Sequence, residues 1–181
     1  FLLMGALFIV LPRTMVSAKR INQVLDLHSS IQNPAQVQLA DENLKGQVEF
    51  KDVTFRYAAN SEAVIENVSF KAETGQTVAF IGSTGSGKST LVNLIPRFYD
   101  VSAGEILVDG VNVQDYALED LRNKVGYIPQ KAVLFSGDVK DNLDFGQSQE
   151  TPLSEQAMWQ ALELAQSKNF IEDKEAGLES E

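Results

Sequence analysis

The sequence contains no cysteine, and only one histidine and one tryptophan, in 181 residues. Without cysteine there is no disulfide framework and no thiolate metal site, which suits a reducing compartment. His28 alone cannot form a histidine metal cluster, and a solvated face is the simpler place for it. Basic residues are also scarce: 15 Lys and Arg against 25 Asp and Glu leave a net charge of −10. A chain this acidic lacks the basic face that nucleic acid demands, so no nucleic acid is expected as a main partner. Repeats and low-complexity tracts are absent too. With 44% apolar and 22% charged residues the chain is globular, and its length permits a sizeable core.

Only one long apolar run is present, Phe1 to Leu11. As a helix it spans roughly 17 Å, about half the hydrocarbon core of a bilayer, too short to cross alone. Arg13, Lys19 and Arg20 follow it, as at the cytoplasmic end of a membrane span. Three readings stay open: the tail of a transmembrane helix, a signal-peptide core, or a buried soluble helix. A signal peptide would carry its basic residues before the run. The helical pattern continues through Ile21, Val24, Leu25 and Leu27, and Ser29 to Lys45 then reads as a polar linker containing Pro34. The chain opens on Phe1 and stops at Glu181 within a polar stretch, so it is expected to be a piece of a longer protein.

The most informative stretch is Gly82-Ser83-Thr84-Gly85-Ser86-Gly87-Lys88-Ser89-Thr90. Gly82 to Ser89 matches G-x-x-x-x-G-K-[ST], the phosphate-binding P-loop. A triphosphate is dense negative charge, and aligned backbone N–H groups can hold it if the chain approaches closely, which glycines permit. The apolar spacing of Leu91, Val92 and Leu94 places the loop at a helix N-terminus, where the dipole favours an anion. Lys88 is suited to the β- and γ-phosphates, Ser89 to Mg²⁺ and Thr90 to the α-phosphate. The preceding run Thr77 to Ile81 reads as a buried parallel strand. A glycine-rich turn with a surface lysine is the bland alternative.

Elsewhere, Val48 to Phe55 is strand-like with a shift of alternation near Asp52, and Val64 to Phe70 is a second strand region. Ile106 to Val113 reads as a hairpin turning at Asp109-Gly110. Leu118 to Lys124 is a short helix, and Val125 to Ile128 a strand stopped by Pro129. Ser154 caps a helix running through Met158, Leu162 and Ala165.

Several stretches around the P-loop carry a resemblance. They are Leu11-Pro12-Arg13, Ser17 to Ile21, Val53 to Tyr57, Arg97-Phe98-Tyr99-Asp100, Gly104-Glu105-Ile106, Gly126 to Gln130 and Leu134 to Gly137. In this order they resemble an ATP-binding cassette (ABC) exporter of the bacterial multidrug type, with membrane and nucleotide-binding domains on one chain. The resemblance implies an α/β P-loop NTPase fold with a parallel central sheet, preceded by the end of a transmembrane helix. It divides the chain into 1–28 (end of the last transmembrane helix), 29–46 (linker) and 47–181 (nucleotide-binding domain). It implies ATP with Mg²⁺, hydrolysis coupled to export, a second nucleotide-binding domain as partner, and a multi-pass protein of the cell membrane with this domain on the cytoplasmic side. Tyr57 matches the aromatic that stacks on adenine, against the alternative of a half-buried strand tyrosine. Val64 flanks the adenine. Gln130 matches the glutamine that contacts Mg²⁺ near the attacking water, against a plain surface glutamine. Phe135 and Phe145 are expected to meet the coupling helices of the membrane domain, or else to be core aromatics.

No Leu-Ser-Gly-Gly-Gln stretch occurs, nor an apolar strand ending in Asp after Gln130, nor the catalytic Glu or switch His. In the resembled family these follow a stretch like Gly177 to Glu181, so they are expected beyond it. Residues 1–181 alone are therefore expected to fold marginally and not to turn over ATP. A GTPase would carry Asn-Lys-x-Asp, which is absent. An importer ATPase subunit would lack the apolar run at the start. A non-hydrolytic, regulatory half of a heterodimeric transporter stays open, as does the cargo.

Overall fold

The computed structural model describes residues 2–146 and 152–180. Phe1, residues 147–151 and Glu181, together with the side chains of the apolar run up to residue 9, lie outside the described part. The chain divides into two units, Phe1–Gly126 and Tyr127–Glu181.

The first unit begins with helix α1 (Leu2–Leu25), which contains Pro12. From Val10 to Leu25 its side chains are exposed. Among the described residues no helix is long and apolar enough to cross a membrane. A four-stranded antiparallel sheet follows in the order β2-β1-β3-β4. Its strands are β1 (Val48–Phe55), β2 (Ile65–Ala72), β3 (Ala103–Val108) and β4 (Val111–Asn112). Among the described residues the unit also has a 3₁₀ turn (Glu42–Leu44) and two short helices, α2 (Lys88–Leu94) and α3 (Leu118–Asn123).

β1 shows why the alternation shifts. At Asp52 the backbone swings to a φ of 48°, and the register slips against both neighbours. A bulge adds one residue, so Phe50 and Val53, three apart, face the same side. Phe50, Val53 and Phe55 are all buried as a result. Ser69 holds the bulge: its Oγ accepts the Asp52 N–H at 2.8 Å and donates to Asp52 Oδ1 at 3.0 Å. Leu91 and Leu94 bring α2 onto this sheet, in one cluster with Phe50, Val53, Phe55, Ile65, Ile106 and Leu121. Leu94 is fully buried, and its truncation to Ala would cost about 2–5 kcal/mol. This packing fixes where the loop before α2 lies.

The hairpin is as the sequence predicts. Asp109 and Gly110 have φ of 50° and 80°, the left-handed pair a two-residue turn requires. Asp109 is also buried. Its Oδ1 accepts the Gly46 N–H at 2.7 Å and its Oδ2 the Lys124 Nζ at 2.9 Å. That hydrogen bond to Asp109 raises the Lys124 ammonium above the ordinary 10.5. Next to it, burial and then the Asp109 charge push the Tyr116 phenol up, while its OH donates to Val108 O at 2.8 Å. The chain between α1 and β1 is bonded along this body. Asn33 Oδ1 accepts the Leu118 N–H at 2.8 Å, and the Gln38 N–H donates to Asp115 O at 2.9 Å.

Two expectations are corrected. Thr77 to Ile81 and Val125 to Ile128 form no strand among the described residues, and the sheet present is antiparallel, not parallel. A parallel strand exists only through hydrogen bonds to neighbours on a sheet covered on both faces. Ile81 and Ile128 are 96% and 94% exposed, so no such cover reaches them here. Two of the three strand pairs form through short connections, the two-residue turn between β3 and β4 and residues 56–64 between β1 and β2, while β1 and β3 pair across the long stretch that carries β2 and α2.

The second unit is helical: α4 (Val139–Asp144), α5 (Glu155–Leu164), α6 (Lys168–Glu172) and a 3₁₀ turn at Gly177–Glu179. Met158, Leu162, Ile171 and Leu178 form its core. Ser154 caps α5 as predicted, its side chain accepting the Ala157 N–H.

Candidate functional site

Gly82 to Gly87 form a turn that enters α2 at its N-cap, Gly87. Gly87 has a φ of 85°, and a Cβ there would lie 2.8 Å from Ile65 Cδ1 and 2.9 Å from Val64 O. Only glycine lets the loop sit this close to the start of β2. Gly85 has nearly the same φ, 86°, but a Cβ on it would meet nothing within 4 Å. The loop is therefore anchored at Gly87 and open at Gly85. Ser83, Thr84, Gly85 and Ser86 are exposed, and the Ser86 N–H donates to Ser83 O at 3.3 Å. A Cβ on Gly82 would lie 2.7 Å from Ser86 Oγ, so the two ends of the turn are in contact.

Lys88 folds back over the turn. Its Nζ donates to Ser83 O at 2.6 Å, Gly82 O at 2.9 Å and Ser86 Oγ at 3.3 Å. The ammonium thus lies inside the loop, held by two backbone carbonyls and a serine hydroxyl. Ser89 is exposed at the first turn of α2, while Thr90 is buried.

Tyr57 comes to the same place from β1. Its OH shares a hydrogen bond of 2.9 Å with Thr90 Oγ1. Phe55 meets its ring edge-on at 4.8 Å and 82°, and Tyr99 at 5.2 Å and 89°. The ring stays 55% exposed. The turn after it is fixed locally: Ser61 Oγ donates to Ala58 O at 2.8 Å, and Arg56 Nη1 donates to Ser61 O at 2.9 Å. Val64 is tied to β1, its N–H donating to Phe55 O at 2.9 Å, and its carbonyl faces Gly87. Tyr57, Val64, Lys88, Ser89, Thr90 and the glycine loop are therefore brought together. Gln130 lies in an exposed bend of the second unit.

Two residues past α2, one of them beside Tyr57, carry no role in the sequence reading. Tyr99 packs on both Tyr57 and Phe55, the latter at 5.5 Å. Arg97, buried just past α2 with a φ of 53°, donates from Nε to Asp100 Oδ1 at 2.7 Å and from Nη1 to Gln32 O at 3.2 Å and Gln114 O at 3.4 Å. The signal for both is the run Arg97-Phe98-Tyr99-Asp100, polar and aromatic directly after an apolar helix. In the second unit Phe135 and Phe145 stack at 3.9 Å and 21°, yet are 50% and 62% exposed and outside its core.

Residues 65–178, well over half of the chain, match the family model described as ABC transporter. The chain belongs to the ABC transporter family. Residues 65–178 belong to an ABC ATP-binding domain of the P-loop NTPase class, as the resemblance implies, although the expected parallel strands are not formed among the described residues. The chain is 43% identical over 163 residues to an uncharacterized ABC transporter ATP-binding protein of Mycobacterium bovis, covering 90% of this chain and 28% of the relative. It is 40% identical over 168 residues to an ATP-dependent lipid A-core flippase of Xanthomonas oryzae pv. oryzae, covering 93% and 28%. A solved structure of a bacterial Atm1-family ABC exporter with ATP bound is similar with a TM-score of 0.84 at 25% identity, covering 98% of this chain and 30% of the exporter. The ABC chain thus spans about 28% of the length of the curated relatives it matches.

Proposed function

We propose that this chain binds ATP at Gly82–Thr90, and that in the longer protein paired copies of such a domain hydrolyse it to drive export across the cytoplasmic membrane. One observation carries the reading: Tyr57 is hydrogen-bonded to Thr90 of the P-loop, so an aromatic face and a phosphate loop share one site. A base stacked on Tyr57 and phosphates on the loop would engage together, and base–aromatic stacking is worth about 1–3 kcal/mol. Val64 would flank the base. The N–H groups from Ser83 to Ser89 would face the phosphates, with Thr90 at the α-phosphate. Lys88 would release its carbonyl partners for the β- and γ-phosphates and neutralise charge that grows on the transferred group.

Mg²⁺ fits the donors present. The exposed Ser89 hydroxyl offers a neutral oxygen, and this cation takes most of its ligands from phosphate and water. Held by Ser89, it would supply positive charge that offsets the charge of the phosphates. The relatives named as a flippase and an exporter support coupling to membrane domains. Phe135 and Phe145, stacked and exposed, are the surface offered to the coupling helices. The basic residues Arg13, Lys19 and Arg20 on α1 suit the cytoplasmic end of a span. The test is turnover by the intact protein: Lys88→Ala is expected to abolish ATPase activity and transport, and wild-type rates would overturn the role.

A further inference from the structure

We propose that Tyr99 is a positioning residue for the nucleotide base, acting through Tyr57, whose hydroxyl end is held by Thr90. The inference rests on the proposed stacking role of Tyr57 and adds what holds that ring ready. A tyrosine in the bend just past a strand, more than half exposed, would normally sample several rotamers and lose that freedom on binding. Three contacts here remove the freedom beforehand. Phe55 and Tyr99 both stand perpendicular to the Tyr57 ring, at 4.8 and 5.2 Å, and restrain its rotation. Thr90 Oγ1 fixes the hydroxyl end at 2.9 Å. Phe55 is buried within the sheet, and Tyr99 packs on it at 5.5 Å, so the three rings form a closed triangle.

The members differ in what they do. Phe55 belongs to the core, and its loss would disturb the sheet. Tyr99 is 41% exposed and lies outside that core, so its ring is free to serve Tyr57. Thr90 sits in the first turn of α2 and anchors the Tyr57 hydroxyl there. Edge-on aromatic packing of this kind shifts an equilibrium by about 2- to 13-fold.

The experiment is titration of the intact protein with ATP and, separately, with inorganic tripolyphosphate, which has the phosphates but no base. Tyr99→Ala is expected to weaken ATP binding about 2- to 13-fold, leave tripolyphosphate unchanged and thus lower the ratio of the two affinities. Tyr99→Phe keeps the ring and is expected to restore the ratio. Tyr99→Leu keeps bulk without a ring and gives the same loss as Ala should the smaller residue impair folding. Equal weakening of both ligands, or no change in either, would overturn the positioning role. Tyr57→Ala separates that failure from failure of the stacking reading. If Tyr57→Ala weakens ATP while Tyr99→Ala does not, only the role of Tyr99 falls; if neither matters, the stacking reading falls with it.

Discussion

Substitution of Gly87 tests how the loop is built. At a φ of 85° an L-residue costs about 1–2 kcal/mol through its own backbone. In Gly87→Ala the new methyl would also lie under 3 Å from Val64 O and Ile65 Cδ1. Neither can retreat cheaply. Val64 is bonded to Phe55 at 2.9 Å, and Ile65 is buried. Overpacking of this kind adds about 1–3 kcal/mol, for a total of about 2–5 kcal/mol. Gly85→Ala is the control: the same φ, nothing within 4 Å, and so about 1–2 kcal/mol. Hydrogen exchange reads local opening free energies, and the Leu91 N–H, bonded to Gly87 O at 2.9 Å, reports on the loop. Its protection should fall about 30- to 5,000-fold in Gly87→Ala and about 5- to 30-fold in Gly85→Ala. Equal losses in the two variants would refute the claim that Val64 and Ile65 press on the loop.

Further outcomes concern the hub beside the hairpin. Asp109→Ala should destabilise the chain by about 3 kcal/mol, since it leaves the Gly46 N–H and Lys124 without their partner; Asp109→Asn should cost less, because an oxygen remains for Gly46 and the part-exposed ammonium can rehydrate. Chemical denaturation measures both: the difference between them reports the Gly46 hydrogen bond, equal costs would count against that bond, and a negligible cost for Asp109→Asn would count against the ion pair. Lys124 and Tyr116 hold their protons more tightly folded than unfolded, where the ordinary values are 10.5 and 10.0. Their stabilisation is complete below those values and is lost as pH rises through the raised folded ones. The denaturation midpoint should therefore drop above about pH 10, and Lys124→Met should blunt the drop.

What the sequence discloses is local chemistry. The bulge at Asp52 shows as a phase shift in β1, the Asp109-Gly110 turn as a dipeptide, and the α5 cap as a serine before an apolar period. Each is decided by residues within a few positions. The runs at 77–81 and 125–128 are apolar enough for strands, but a strand is a property of its neighbours, and none covers Ile81 or Ile128 here. Within the site, the loop is legible because its glycines and Lys88 stand in a fixed spacing. Tyr99 and Arg97 are not, because their partners Tyr57 and Gln32 lie 42 and 65 residues away in sequence. Side-chain packing over such separations leaves no period to read.

The claim that Gly82 to Thr90 grip the phosphates of ATP is tested most directly by the dissociation constant for ATP with Mg²⁺ in the intact protein and in Lys88→Ala. Charge-assisted hydrogen bonds of the kind Lys88 would make are worth about 1.5–3 kcal/mol, so the variant should bind about 10- to 150-fold more weakly. An unchanged dissociation constant would contradict it.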